Sequence, residues 1–74
     1  MYIQLFLKNY SIEIQNATQL NGITHYSDCE DIEITPLELN NLNPLNTNYE
    51  IIEFYTSEQK FYRIKTSEII GFKK

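Results

Sequence analysis

The amino-acid sequence predicts a mainly β fold: a small antiparallel sheet of about five or six strands, with one short helix near residues 36–42. Three observations lead to this prediction. Eleven Ile, six Tyr and four Phe dominate the apolar residues, and such side chains favour pleated, half-buried surfaces. Several segments alternate apolar and polar residues, and turn-forming residues separate them. With 74 residues, the chain is expected to form a single domain over residues 1–74.

The N-terminal segment predicts two paired strands. In residues 2–8, Ile3, Leu5 and Leu7 lie on one face, and the other face is nearly as apolar. A strand that is apolar on both faces is expected at the centre of a sheet. Residues 10–15 alternate in the same way, and the connection between the two segments is too short for anything except a tight antiparallel turn.

The pair Asn21-Gly22 is the strongest local turn motif in the chain. A two-residue type I′ hairpin needs positive φ at both central positions, and Asn-Gly is the pair that adopts it most easily. The motif therefore predicts a hairpin here, with Leu20 opposite Ile23.

The segment near residues 36–42 has the features of a helix start. Thr35 as N-cap, Pro36 at the first helical position and Glu38 at the third would form a capping box. Leu39 and Leu42 follow with helical spacing. A helix this short is unstable alone, so we expect these two leucines to pack against the sheet.

The second half of the chain predicts another hairpin. Residues 49–56 and 60–66 both alternate, and residues 57–59 lie between them as a loop. A three-residue loop favours a register in which the cross-strand pairs are Phe54 with Tyr62, Ile52 with Ile64 and Glu53 with Arg63. Because the loop lacks the glycine that such a turn prefers, a neighbouring register remains open.

The end of the chain has a strand, a one-turn break at Thr66-Ser67-Glu68 and a last short strand. This segment resembles the closing segment of SH3-like small barrels, in which a single helical turn joins the final two strands. The resemblance implies an SH3-like, partly open barrel as the alternative to an open sheet. It implies no binding residues, because the ligand-binding positions of SH3 domains have no counterpart here.

Cysteine content and hydropathy favour a cytoplasmic location. Cys29 is the single cysteine and cannot form an intramolecular disulfide, whereas small secreted domains usually contain several. The first residues lack the basic start and small-residue cleavage site of a signal peptide. No segment approaches the ~18 apolar residues of a membrane span, so we expect no membrane partner.

The sequence predicts no enzyme, no cofactor and no metal site. His25 and Cys29 lie close together in the chain, but a nucleophile needs a base and an orienting group at defined spacing in three dimensions. Acidic residues flank Cys29, whereas a reactive thiolate needs an electropositive setting. The same two side chains supply only half of a tetrahedral zinc site.

Charge divides the chain into an acidic and a basic part. Residues 1–58 carry nine acids and one base, for a net charge of −8, and residues 59–74 carry five bases and one acid, for +4; the sum is the total of −4. Five acids fall in one run without a base: Asp28, Glu30, Asp31, Glu33 and Glu38. Two interpretations remain open, a solvated edge that resists aggregation and a contact surface for a basic partner.

The basic part interleaves cations with aromatic residues, the combination that holds single-stranded nucleic acid through phosphate contacts and base stacking. The set comprises Lys60, Phe61, Arg63, Lys65, Phe72, Lys73 and Lys74. The overall pI of about 4.8 opposes such a role.

These features favour a non-enzymatic, protein-binding module that uses the acidic run against a basic partner. Small acidic chains of this kind are common among phage and mobile-element proteins that inhibit or assist others, including anti-defence and immunity proteins. The first alternative is a small-barrel nucleic-acid or oligonucleotide binder that uses the basic aromatic set. The second alternative is a structural homo-oligomer. Tyr2 and Phe6, which face outward from the first strand, are the next candidates for a contact surface.

Overall fold

A computed structural model describes residues 2–25 and 32–74 and shows a mainly β fold, as the sequence predicts. Within this part of the chain there are seven strands rather than five or six. They are β1 (Tyr2–Leu7), β2 (Ser11–Gln15), β3 (Ala17–His25), β4 (Ile32–Leu37), β5 (Ile51–Thr56), β6 (Phe61–Lys65) and β7 (Ile69–Lys73). The described residues also form two single 3-10 turns, the first at Leu39–Asn41 and the second at Thr66–Glu68.

The strands form two antiparallel sheets. The three-stranded sheet has the order β2-β1-β7, so β1 is central, as its two apolar faces predict. The four-stranded sheet has the order β4-β3-β5-β6. In the described part of the chain the two sheets do not close into a barrel, so the SH3-like resemblance does not extend to a closed barrel.

The chain crosses between the sheets at two tight bends. β2 and β3 are nearly continuous, and the single residue Asn16 between them has φ 59. This left-handed conformation is one that Asn tolerates better than most residues. The second crossing is the 3-10 turn at Thr66–Glu68, between β6 and β7. Such bends let consecutive strands belong to different sheets that pack across one core.

The core lies between the two sheets. Ile3, Leu5 and Ile14 come from the three-stranded sheet and are fully buried. The four-stranded sheet contributes Leu20, Ile52, Phe54 and Ile64, which lie on the face that we call its inner face. Leu39 and Leu42 pack into the same core from the first 3-10 turn and the residue after it, which confirms their predicted docking.

The antiparallel pairing predicted for the N-terminal hairpin and the register predicted for the second hairpin are confirmed. β1 pairs with β2 so that Ile3 lies opposite Ile14. β5 pairs with β6 in the predicted register, with Phe54 opposite Tyr62, Ile52 opposite Ile64 and Glu53 opposite Arg63. Three loop residues, 57–59, lie between Thr56 and Lys60, whose amide and carbonyl close the hairpin with a hydrogen bond of 3.0 Å.

The predicted turn at Asn21-Gly22 is wrong. Both residues lie inside β3, and neither has positive φ. β3 pairs on one side with β4 and on the other with β5, so Gly22 lies between Thr35 and Ile52. Two ladders of hydrogen bonds outweigh the small local preference of an Asn-Gly pair for a turn.

The predicted start of the helix is also wrong. Thr35 and Pro36 are part of β4, and no side chain caps the 3-10 turn that follows. The helical turn within the predicted interval is confined to Leu39–Asn41. Pro36 fits this place because an edge strand tolerates a residue without an N–H.

Candidate functional site

β4 is the strand on which the main candidate site is built. It is an edge strand of the four-stranded sheet. Because residues opposite each other share a face, Glu33, Thr35 and Leu37 lie on the inner face with Thr24, Gly22 and Leu20. Ile32 and Ile34 lie on the opposite, outer face, where their exposed fractions are 51% and 59%. Over Ile32 to Thr35, β4 therefore presents apolar groups on one side and polar groups on the other.

The polar side of β4 forms a wall of a surface cleft of about 530 Å³, which we call the β4 cleft. Segment 38–49, which follows β4, forms the other side. Two carboxylates, four amides, four hydroxyls and two leucines line it: Glu33, Glu38, Asn41, Asn43, Asn46, Asn48, Thr24, Thr35, Thr47, Tyr49, Leu37 and Leu42. None of these described lining residues is Lys or Arg, so the formal charge of the lining is negative.

Tyr49 stands against the sheet at the base of the β4 cleft because residue 22 is glycine. A Cβ atom at Gly22 would lie 2.5 Å from Cγ of Tyr49 and 2.7 Å from both of its Cδ atoms. The backbone on either side of the ring is held in place. The Tyr49 amide donates to Oγ1 of Thr47 at 3.3 Å, and the Tyr49 carbonyl accepts from Oγ1 of Thr66 at 2.7 Å. Gly22 is therefore needed for close approach and not for a turn.

The structure brings together two of the five acids that the sequence singled out. Glu33 and Glu38 both line the β4 cleft. Oε2 of Glu38 accepts a hydrogen bond from Nδ2 of Asn41 at 3.3 Å, and this bond joins the two ends of segment 38–41. Asp28, Glu30 and Asp31 lie outside the described residues, as does Cys29, and the side chain of His25 is not described either.

The basic aromatic residues are divided among three places. Phe61, Arg63 and Lys65 alternate along β6 and face outward from the four-stranded sheet. Lys73 belongs to the other sheet, opposite Gln4. Lys60 borders a separate hollow together with Glu13 and Glu58.

Phe72 is half-buried and packs against the core, so its ring is not a free stacking platform. Nζ of Lys74 lies 5.8 Å from the centre of that ring and also donates to the Asn40 carbonyl at 3.5 Å. The predicted nucleic-acid patch is therefore not one continuous surface.

The part of the patch on β6 already has partners within the chain. The rings of Phe61 and Tyr55 pack with centroids 4.9 Å apart and a tilt of 46°. Arg63 lies 4.0 Å from the carboxylate of Glu53, measured from Nε to Oε2. Glu53 is 8% exposed, so this carboxylate lies close to Arg63 in a partly desolvated place.

The apolar half of the site, Ile32 and Ile34, was not predicted from the sequence. A pattern that could have revealed it is present, because Ile32-Glu33-Ile34-Thr35 alternates with the period of a strand. The capping-box interpretation of Thr35, Pro36 and Glu38 concealed it. The role of Tyr49 had no pattern in the sequence, since it depends on contact with Gly22.

Neither a metal centre nor a membrane helix is found in the described residues. No group of three or more His, Cys, Asp or Glu among them is placed to hold a metal ion. In the same part of the chain, no helix is long and apolar enough to cross a membrane.

Comparison with known proteins identifies no relative of this chain. No protein-family model, no curated protein and no solved structure matches the chain. A function therefore has to follow from the charge, burial and geometry of the chain's own residues.

Proposed function

We propose that the chain is a non-enzymatic, protein-binding module that receives a basic partner at the β4 cleft. The observation that carries this proposal is that Glu33 and Glu38 line one cleft whose described lining contains neither Lys nor Arg. Its chemistry suits the side chain of a lysine or arginine, whose cationic end would meet carboxylates and whose N–H groups would donate to amide and hydroxyl oxygens.

The charge of the surrounding chain supports the same partner. The sequence leading into β4 contains Asp28, Glu30 and Asp31, and the chain as a whole has a net charge of −4. Complementary charge raises the rate of encounter and excludes partners of the wrong sign more than it raises affinity. An inhibitor or accessory protein that acts on a basic, nucleic-acid-handling protein in the cytoplasm is the class that fits best.

The nucleic-acid alternative is less well supported. Its residues fall on two sheets and one hollow, and Phe72 packs on the core. The cationic end of Arg63 is near Glu53, so the outer face of β6 presents little excess positive charge. Nucleic-acid binding usually requires a contiguous basic surface.

A binding comparison tests the proposal directly. The two probes are a fluorescent oligolysine peptide and a fluorescent single-stranded oligothymidylate, each titrated with the chain while fluorescence anisotropy is recorded. We expect the peptide to bind and the oligothymidylate not to bind. The peptide's association rate should fall as salt is raised, because exposed charges are screened over about 10 Å at 0.1 M salt.

The decisive variant is Glu33→Gln with Glu38→Gln, which neutralises the β4 cleft. A matched control is Glu13→Gln with Glu68→Gln, which changes the net charge equally at exposed positions outside the cleft. We expect the first variant to weaken peptide binding and the second to leave it nearly unchanged. Equal losses would mean that only net charge matters, and binding of the oligothymidylate alone would favour the nucleic-acid alternative.

A further inference from the structure

The four edge strands of the two sheets differ in how they resist the addition of another strand. Charged or bulged edges discourage pairing with other chains. Three edges have such features: Arg63 and Lys65 on β6, Glu13 on β2, and Lys73 with a register shift on β7. β4 also has a charge and a proline, Glu33 and Pro36, but its outer face carries two exposed isoleucines, Ile32 and Ile34. Of the four edges, β4 thus offers the most apolar outer face to a further strand.

The outer face next to β4 is apolar across three strands. Ile34 lies opposite Ile23 of β3, and Ile23 lies opposite Ile51 of β5. Ile23 is only 3% exposed, whereas Ile34 at the end of the row is 59% exposed. A strand added beside β4 would continue this row with its own residue next to Ile34. An apolar side chain at that position would cover the exposed isoleucine.

The same added strand would place its alternate side chains on the inner side, beside Glu33 and Thr35. Side chains of a strand alternate between faces, so residues before and after the apolar one would point toward the β4 cleft. Lysine or arginine at these positions would reach the carboxylates of Glu33 and Glu38. β4 therefore favours a partner strand with apolar residues on its outer face and basic residues on its inner face.

We propose that β4 binds its partner by strand addition, and that the added segment is an extended stretch in which apolar and basic residues alternate. This inference rests on the proposed function and specifies how the basic partner is held. The unpaired backbone of β4 would supply hydrogen bonds, and its two faces would supply the preference for an alternating sequence. Pro36 limits the pairing at the C-terminal end, because it has no N–H to donate.

Charge argues against a second copy of the chain as the occupant. Two β4 strands paired with each other would bring the Glu33 carboxylates of both copies to the same edge, in chains that each have a net charge of −4. Like charges across a strand pair are destabilising. A basic segment has the opposite charge and avoids this repulsion.

Three peptides of about eight residues, equal in composition, separate strand addition from simple attraction between charges. The first alternates valine and lysine. The second contains the same residues as one apolar and one basic block. The third is the alternating peptide with N-methyl groups on every second backbone nitrogen, which removes half of its donors. Isothermal titration calorimetry gives the affinities, and amide chemical shifts of the isotope-labelled chain show where each peptide binds.

We expect the alternating peptide to bind at least about tenfold more tightly than the block peptide, and methylation of its backbone to abolish this advantage. The largest shifts should fall on the amides of Ile32–Leu37, apart from Pro36, and not on those of Phe61–Lys65. Ile34→Thr should weaken binding of the alternating peptide, whereas Ile70→Thr should leave its binding unchanged. Ile70 is an equally exposed isoleucine, at 61%, on β7.

Each other outcome would overturn the inference in a distinct way. If the three peptides bind equally and all respond to Glu33→Gln with Glu38→Gln, strand addition is wrong and the proposed function stands. If none of the peptides binds, both are wrong. If sedimentation shows that the chain self-associates through β4 without peptide, the occupant is a second copy.

Discussion

β4 and β6 are the two edges of one sheet, yet their outward residues are of opposite kinds. β6 has Phe61, Arg63 and Lys65 on its outer face, and the first two already contact Tyr55 and Glu53 of the neighbouring strand. On β4 the outward residues are Ile32 and Ile34, more than half exposed. A charged edge with partners inside the chain is protected from further pairing, whereas an apolar edge is open to it.

The difference between the two edges also separates stability from binding. On β6, Phe61 and Arg63 already have partners within the chain, so these residues should contribute to folding. The apolar groups on β4 gain little from folding, because most of their surface stays in water. They gain more if another chain covers them.

The largest effect should come from the residue that both edges depend on. Phe54 of β5 is fully buried between Leu20 of β3 and Tyr62 of β6. Phe54→Ala should lower the free energy of unfolding by about 3–5 kcal/mol, since it removes a large buried ring and leaves a cavity. Urea denaturation measures this loss. Tyr55→Ala, the next residue and an outward one, should cost clearly less; equal losses would contradict the assigned faces.

Gly22→Ala should disturb the β4 side of the sheet specifically. The added Cβ would overlap the ring of Tyr49, and overpacking of this kind costs about 1–3 kcal/mol. Thermal unfolding should show the loss, and hydrogen exchange should increase first in β3 and β4 rather than in β6.

Gly71→Ala provides the matched control for Gly22→Ala. A Cβ there would meet the ring of Phe6 at 3.5 Å, an ordinary contact, so stability should be maintained or slightly increased. Similar losses at both glycines would mean that close approach of Tyr49 is not the reason for Gly22.

Gln59→Gly should stabilise the hairpin that holds β6. Gln59 has φ 65, a conformation that strains any residue with a Cβ and that glycine adopts freely. We expect a gain of about 0.5–1 kcal/mol in the free energy of unfolding, measured by denaturation. Asn16→Gly at the other left-handed position should gain less, because it removes the hydrogen bond from Asn16 to Glu58. A larger gain at Asn16 would contradict this account.

Exchanging the apolar and charged side chains of the two edges should have the smallest effect on stability, but it should change self-association. Ile34→Lys and Lys65→Ile both replace exposed residues, so each should change the free energy of unfolding by no more than about 0.5 kcal/mol. Lys65→Ile extends the apolar row of Ile34, Ile23 and Ile51 onto β6 and should promote self-association at high concentration. Sedimentation velocity measures this self-association. A strictly monomeric Lys65→Ile variant would mean that edge charge is not what protects β6.

Local pattern was sufficient where neighbours in sequence are also neighbours in space. The pairing of β5 with β6 followed from alternation on both sides of a three-residue loop, and the bend between β6 and β7 followed from the break at Thr66–Glu68. In each case the decisive contacts are local. For the β5–β6 hairpin the loop length favoured the observed register, and the pairing across the strands decided between it and a neighbouring one.

Two of the candidate site's properties could not be derived in this way. The acids Glu33 and Glu38 were identifiable from their charge, but their shared cleft depends on how segment 38–49 folds back beside β4. The outward isoleucines of β4 depend on its pairing with β3, which the turn preference of Asn21-Gly22 argued against.

A mainly β chain, its N-terminal and second hairpins, and the division of charge between its two parts could be predicted from the sequence, because alternation, side-chain type and charge are local. Contacts between residues distant in sequence were needed to establish that Asn21-Gly22 continues a strand, that Gly22 makes room for Tyr49, and that β4 is an exposed edge. A turn preference amounts to only a small local free energy. A strand paired on both sides and packed under an aromatic ring gains more from contacts distant in sequence.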